Sequence, residues 1–330
     1  MGDARIYVTR RLPEVAMRIL EQAGAVKVWT EDLPPPREVL EAEIAEVEGL
    51  LCLLTDVVDE MLLCRARKLK VVSNMAVGYD NIDVGACTAR GILVTNTPGV
   101  LTETTADLTF ALLLGVARRI TEAERFLRAG QWETWSPMLL AGQDVYGAII
   151  GIVGMGRIGQ AVARRARGFD MQILYASRSA HPEVERTLGA RRVQLEELLR
   201  NSDFVTLHVP LTPETRGLVG ERELRLMKST AILINTARGP VVDEVALVRA
   251  LREGWIAGAG LDVYAQEPIA ADHPLLKLDN VVLLPHIGSA SVKTRTRMAV
   301  MAAENLVAAL AGQLPHSVVN PEAWGDRGRP

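Results

Sequence analysis

Cysteine is scarce in this chain. Cys52, Cys64 and Cys87 are the only three in 330 residues. The number is odd and the spacing fits no metal-ligand pattern, which argues against a disulfide framework and for a reducing compartment. All three read as small buried hydrophobes, and no metal site is expected. Long apolar runs are also missing. The longest, near Leu108–Ala117, is half of what a membrane span needs. The opening residues, MGDARIYVTR, hold no apolar stretch of the signal-peptide kind, so a cytoplasmic protein is expected. Neither sign of charge is in excess. Lys plus Arg is 37 against 40 Asp plus Glu, a net charge of −3. The basic residues, mostly Arg, are spread along the chain, so neither nucleic acid nor a membrane is an expected partner. What is present is ordinary for a folded protein, at 48% hydrophobic and 23% charged residues. The length suggests about two domains.

Short β-branched runs alternate with longer helical stretches. Ile6–Thr9, Val26–Thr30, Leu50–Leu54, Val71–Met75 and Ile92–Thr95 read as strands, with helices at Pro13–Gln22, Arg37–Ala45 and Asp83–Ala89. Helix then dominates from Thr102 to Gly130. A second series of strands follows at Ala148–Val153, Gln172–Ala176, Phe204–Val209, Ala231–Thr236, Gly258–Val263 and Val281–Leu284. This pattern predicts an α/β protein with two doubly wound, Rossmann-like parallel-sheet domains. A further helix, Val292–Leu310, lacks a partner in the second series and is expected to cross back to the first. That would make the first domain discontinuous. The tail, Pro315–Pro330, is expected to fray.

The segment Gly154-Met155-Gly156-Arg157-Ile158-Gly159 lies between a strand pattern and a helix pattern. That context makes it a dinucleotide fingerprint. Gly154 permits the tight turn, Gly156 lets a pyrophosphate approach, and Gly159 lets helix and strand pack closely. The acid that usually grips the ribose 2′-hydroxyl of NAD at the end of the next strand is absent. Ser177-Arg178-Ser179 stands there instead. Arg178 can pair with a 2′-phosphate and the two serines can donate to it. NADP(H) is therefore the expected cofactor, with NAD(H) still admitted.

Ligands in open α/β sheets bind at the carboxyl ends of strands. Arg238, Glu267 and His286 each follow a strand of the second series. Reduction of a 2-oxo acid needs a cation on the carbonyl, which suits Arg. It needs an acid for the developing alkoxide, which suits His, and a carboxylate to support the imidazolium.

These residues resemble a known family. The stretches GIVGMGRIGQAVA, HVPLTPETRGLV, INTARGPVVDEVAL, GAGLDVYAQEP and VVLLPHIGSA are similar to the D-isomer-specific 2-hydroxyacid dehydrogenases over nearly the full length. The resemblance implies that Arg238, Glu267 and His286 are catalytic. It implies a substrate (catalytic) domain of residues 1–99 and 288–330, an NAD(P)-binding domain of residues 100–287, and a homodimer built around the cofactor domains and the long helix. GLLCLLTD, NMAVGYDNIDV, NTPGVLTETTADLTFALLL and GQWETWSPMLLAG are similar to the glyoxylate/hydroxypyruvate reductase branch. That branch implies a small 2-oxo acid substrate, with its carboxylate on the Val77 and Gly78 amides and on Arg238. It also implies that Leu54 and Ser289 line the pocket and that Trp135 closes it from a partner subunit. By the same matching Thr105, His208, Pro210, Thr215, Thr236, Ala237, Arg238, Asp262, His286 and Gly288 touch the cofactor, Asp262 through the carboxamide. Departures narrow the choice. Phosphite dehydrogenases carry Lys where Val77 stands, phosphoglycerate dehydrogenases an acid at Ser177, and formate dehydrogenases Gln at Glu267. Two alternatives stay open: a bulkier 2-oxo acid on the same scaffold, or a nucleotide-sensing binding protein like the corepressors that resemble this family.

Overall fold

A computed structural model describes residues 4–325 and divides them into two compact units, one of residues up to Leu101 together with those from Ala290 onward, the other Thr102–Ser289. The strands are β1 (Ala4–Val8), β2 (Gly24–Val28), β3 (Gly49–Cys52), β4 (Val71–Asn74) and β5 (Leu93–Thr95) in the first unit. In the second they are β6 (Ile149–Val153), β7 (Gln172–Ala176), β8 (Arg191–Arg192), β9 (Phe204–Leu207), β10 (Ile232–Asn235), β11 (Gly258–Leu261) and β12 (Val281–Leu283). The sheet orders are β2-β1-β3-β4-β5 and β12-β11-β10-β9-β6-β7-β8. Every ladder is parallel. The two Rossmann-like parallel sheets are those the alternation predicts.

Covering both faces of each sheet explains the near-continuous apolar strands. β3, β4, β9, β10 and β11 are buried at every residue. In the first unit the helix Val292–Leu310 lays Ala299, Ala302, Ala303 and Leu306 against Leu51, Val71 and Leu93. The Ser73 hydroxyl donates to the Ala302 carbonyl at 2.8 Å. Among the described residues no helix is long and apolar enough to cross a membrane.

Three expectations need correction. The helix expected across Thr102–Gly130 is two, Thr102–Ala117 and Ile120–Arg128, broken at Arg119 with φ 52°. The chain near Gly142 runs back against this point, and the Gln143 N–H takes the Ala117 carbonyl at 2.8 Å, the acceptor a continuing helix would need. The tail does not fray through its described part. The Val319 N–H donates to Val94 O at 2.8 Å, the Val94 N–H donates to Asn320 Oδ1 at 2.7 Å, and Asn320 is fully buried. The rest of the tail, 326–330, lies outside the described residues. Cys64 is exposed rather than buried, and Arg90 Nη2 donates to its sulfur at 3.3 Å.

Candidate active site

β6 leaves the sheet centre between β9 and β7, so the chain winds in opposite directions on its two sides. Such a switch point opens a crevice at the strand ends. Gly154 stands there with φ +95°, and a Cβ on it would lie 2.6 Å from the His208 carbonyl at the end of β9. A Cβ on Gly159 would lie 2.1 Å from Gly154 O, whereas one on Gly156 would meet nothing within 4 Å. The two tight glycines are thus demanded by packing and the middle one by open space, as a phosphate cradle requires. The helix Arg157–Arg167 begins immediately after Gly156 and contains Ile158. His208 Nε2 is buried with no hydrogen-bond partner, and burial pushes the imidazole down to about 3, so it is neutral. An orphaned polar atom beside an open glycine turn fits a bound dinucleotide.

The β7 end carries Ser177, Arg178 and Ser179, the last two exposed. Sequence reasoning missed their neighbour Arg192 on β8. Its guanidinium donates to Ser177 O at 3.2 and 2.9 Å and to Arg178 O at 2.8 Å. After β9, Pro210 is exposed, and the Thr215 hydroxyl donates to its carbonyl at 2.6 Å.

Arg238 follows β10. Buried Asn235 fixes its turn by accepting the Ala237 N–H at 3.0 Å and donating to Arg238 O at 2.9 Å. A Cβ on Gly239 would lie 1.8 Å from Tyr264 O. Only glycine lets this turn press against the one that follows β11, which carries Glu267. His286 follows β12 and meets Glu267 there, with Nδ1 and Oε2 2.6 Å apart. The other Glu267 oxygen accepts the Tyr264 N–H at 3.1 Å. Burial alone would raise the Glu267 carboxyl. The His286 hydrogen bond and charge, with smaller help from Tyr264 N–H and the Arg238 charge, outweigh it and hold the carboxyl below its ordinary value.

His286 sits at φ 55°, a conformation that costs a non-glycine residue about 1–3 kcal/mol. Asp262 holds it there. Its two oxygens accept the Ile287 and Gly288 N–H groups, each at 2.7 Å. Burial raises the Asp262 carboxyl above its ordinary value in spite of these donors. Thr105 donates to Gly288 O at 3.1 Å, and Thr236 shares a 3.0 Å hydrogen bond with Thr109. Ser289 is half-buried beside them. The Glu267 turn has its own anchor, also missed: Glu244 accepts the Ala265 N–H at 3.1 Å and pairs with His273 at 3.1 Å. Among the described residues no group of three or more His, Cys, Asp or Glu could hold a metal ion.

The other residues expected to meet the substrate are Val77, Gly78, Leu54 and Trp135. In the first unit, Val77 and Gly78 lie on the turn after β4. Their carbonyls are claimed from within, Val77 O by Asn96 Nδ2 at 2.8 Å and Gly78 O by Asn74 Nδ2 at 3.0 Å. Asn81 also accepts from Asn74 at 3.1 Å and donates to Leu53 O and Asp56 O, at 3.1 and 2.9 Å. The Ser317 hydroxyl donates to Asn96 Oδ1 at 2.6 Å. Among the described residues neither the Val77 nor the Gly78 N–H donates to a partner. Leu54 in the same unit is exposed, and Trp135 in the second is 75% exposed.

This chain is similar to known proteins over nearly its whole length. The pattern for the D-isomer specific 2-hydroxyacid dehydrogenase NAD binding domain matches residues 110–288. A glyoxylate reductase of Korarchaeum cryptofilum is 56% identical over 319 residues, covering 96% of each chain. A crystal structure from Thermus thermophilus shares 49% identity at a TM-score of 0.90, covering 96% of this chain and 99% of that one. An NADPH-dependent glyoxylate/hydroxypyruvate reductase of Sinorhizobium meliloti, solved with NADP and malonate, shares 34% identity at a TM-score of 0.87, with both chains fully covered.

Proposed function

Because this chain belongs to the D-isomer specific 2-hydroxyacid dehydrogenase family, we propose that it reduces glyoxylate to glycolate and hydroxypyruvate to D-glycerate, preferring NADPH to NADH. The observation that carries the reading is the 2.6 Å contact of His286 with Glu267, whose carboxylate also feels the Arg238 charge. The printed functions of the Korarchaeum and Sinorhizobium relatives support the substrate class.

When bound, the dihydronicotinamide supplies the hydride. Gly156 and the N–H groups opening the helix at Arg157 would hold its pyrophosphate, with Gly154 and Gly159 shaping the turn, and Ser177, Arg178 and Ser179 would take the 2′-phosphate. The Val77 and Gly78 N–H groups bind the substrate carboxylate. Arg238 shares that anion and polarises the 2-oxo group, stabilising negative charge as it develops on oxygen. His286 completes the reaction. Its Nδ1 is committed to Glu267, so the proton leaves from Nε2 to the alkoxide. Glu267, ionised to unusually low pH, keeps the imidazolium available until then. Asp262 holds the strained His286 backbone and keeps a lone pair on each oxygen for the carboxamide. The protein acts as a homodimer in this reading. Ile120, Leu127, Trp132, Trp135, Met138 and Tyr146 are large apolar side chains left exposed on one stretch of the second unit, a density that marks an interaction surface. Trp135 closes the partner's pocket.

Initial rates with glyoxylate and hydroxypyruvate, each with NADPH and NADH at matched concentrations, test this. Fast turnover with NADPH favoured about tenfold or more is expected. Equal rates with both cofactors would remove the 2′-phosphate role of Ser177, Arg178 and Ser179. No turnover on either acid would refute the substrate assignment. Asn96→Ala tests the carboxylate site. Freed of its donor, the Val77 carbonyl no longer fixes the turn, and KM for glyoxylate rises about tenfold with kcat nearly kept. An unchanged KM would separate Asn96 from substrate binding.

A further inference from the structure

An anion site built on a loop has a requirement that composition alone does not meet. The loop's carbonyls must face away, or their negative ends cancel the attraction of its N–H groups and cations. The Ser177–Ser179 loop meets this requirement through one residue. Arg192 lies on the two-residue edge strand β8, in register beside Tyr175 of β7. From there its fork reaches under the loop and binds the carbonyls of both Ser177 and Arg178. The far end is tied as well. The His181 N–H donates to the Tyr175 hydroxyl at 2.9 Å, and that hydroxyl donates to Glu185 at 2.5 Å. Among the described residues the N–H groups of Ser177, Arg178 and Ser179 donate to no partner. The result is a short loop held at both ends, with the Ser177 and Arg178 carbonyls bound by Arg192 and the Arg178 and Ser179 residues exposed.

We propose that Arg192 is a positioning residue for cofactor choice: by clamping the Ser177 and Arg178 carbonyls it preorganises the loop for the 2′-phosphate of NADP(H). The inference rests on the reading of Ser177–Ser179 as the 2′-phosphate site. Arg192 itself is engaged with carbonyls and contributes through the loop. Lysine keeps the charge at this position but not the fork that spans two carbonyls, so charge and positioning can be told apart.

The test is equilibrium binding. Dissociation constants of 2′,5′-ADP, 5′-AMP, NADP⁺ and NAD⁺ are measured by calorimetry for the wild type, Arg192→Lys, Arg192→Met and Arg178→Met. Arg192 is exposed on an edge strand, so the variants keep the fold, checked by an unchanged melting temperature. Both Arg192 variants are expected to bind 2′,5′-ADP and NADP⁺ about tenfold more weakly, with 5′-AMP and NAD⁺ within about twofold of wild type. If Arg192→Lys binds like wild type while Arg192→Met does not, the residue acts by charge alone and positioning is overturned. Equal weakening of all four ligands would mean a purely structural role and would overturn it too. If Arg178→Met loses the preference and both Arg192 variants keep it, the 2′-phosphate reading stands and this inference falls. A wild type that binds 2′,5′-ADP no tighter than 5′-AMP removes the underlying reading itself.

Discussion

Replacing Arg238 with alanine lowers kcat/KM for glyoxylate by roughly 100- to 1,000-fold, most of it in kcat. The guanidinium is assigned both to the substrate carboxylate and to the charge that develops on the 2-oxo oxygen as the hydride arrives, and the second share falls on the transition state alone. The magnitude is that of removing an oxyanion donor from a site shielded from water. The variant isolates chemistry from folding. The turn is fixed by Asn235 and by the close approach at Gly239, neither of which uses the Arg238 side chain beyond Cβ. Arg238→Lys recovers little, because a point charge on a flexible stem cannot hold a carboxylate and a carbonyl oxygen together. An alanine variant within tenfold of wild type would take Arg238 out of the site.

The second large effect is in pH dependence. Reduction of a 2-oxo acid consumes a proton, so the forward rate needs cationic His286. The rate falls on the alkaline side as that proton is lost, and the reverse reaction shows the opposite limb. On the acid side Glu267 adds no limb at the ordinary carboxylate value. Glu267 is held below the ordinary carboxylate value, so its support of the imidazolium is complete above that value and is lost only as pH falls through the depressed one. Glu267→Gln keeps a similar shape but removes the charge. It withdraws the charge-assisted hydrogen bond that supports the imidazolium, and kcat falls roughly tenfold. His286→Asn lowers kcat about 100- to 10,000-fold and flattens the profile. A wild-type profile of the chemical step without an alkaline limb would exclude His286 as the proton donor.

What could be read in advance, and what could not, divides by range along the chain. The alternation of apolar runs and helical stretches is local, and it yields two parallel sheets. The glycine turn is local too, as a spaced pattern between one strand and one helix, although Gly154 answers to the distant His208 carbonyl. Arg238, Glu267 and His286 stand at strand ends, where any open α/β sheet keeps its chemistry. The residues that hold these groups in place left no local sign. Asn74 and Asn235 are the last residues of β4 and β10, Asn81 and Asn96 lie in loops, and amides are common at both kinds of place. Ser317 bonds to a residue 221 positions away. β8 is two exposed arginines, with neither length nor apolar alternation to mark a strand. The break at Arg119 depends on residues 142 and 143 folding back. The tail, read as loose from its prolines and glycines, is docked by Asn320, whose partners at Thr88, Ile92 and Val94 no pattern within the tail could disclose.

The same docking bears on how the protein is made. The sheet β2-β1-β3-β4-β5 is translated first, but the helix Val292–Leu310 and Asn320 that complete its unit emerge last. The second unit, Thr102–Ser289, is continuous and can close its core meanwhile. At ordinary synthesis rates the wait is roughly 10–40 seconds. During it the face of the first sheet that later meets Ala299, Ala302 and Leu306 is covered only in part, by Ala16, Met17 and Leu20 of the helix Glu14–Ala23. Nascent chains therefore pass through a state with a half-built unit beside a finished one. On the proposed reading, the carboxylate site at Val77 and Gly78 belongs to the unit completed last.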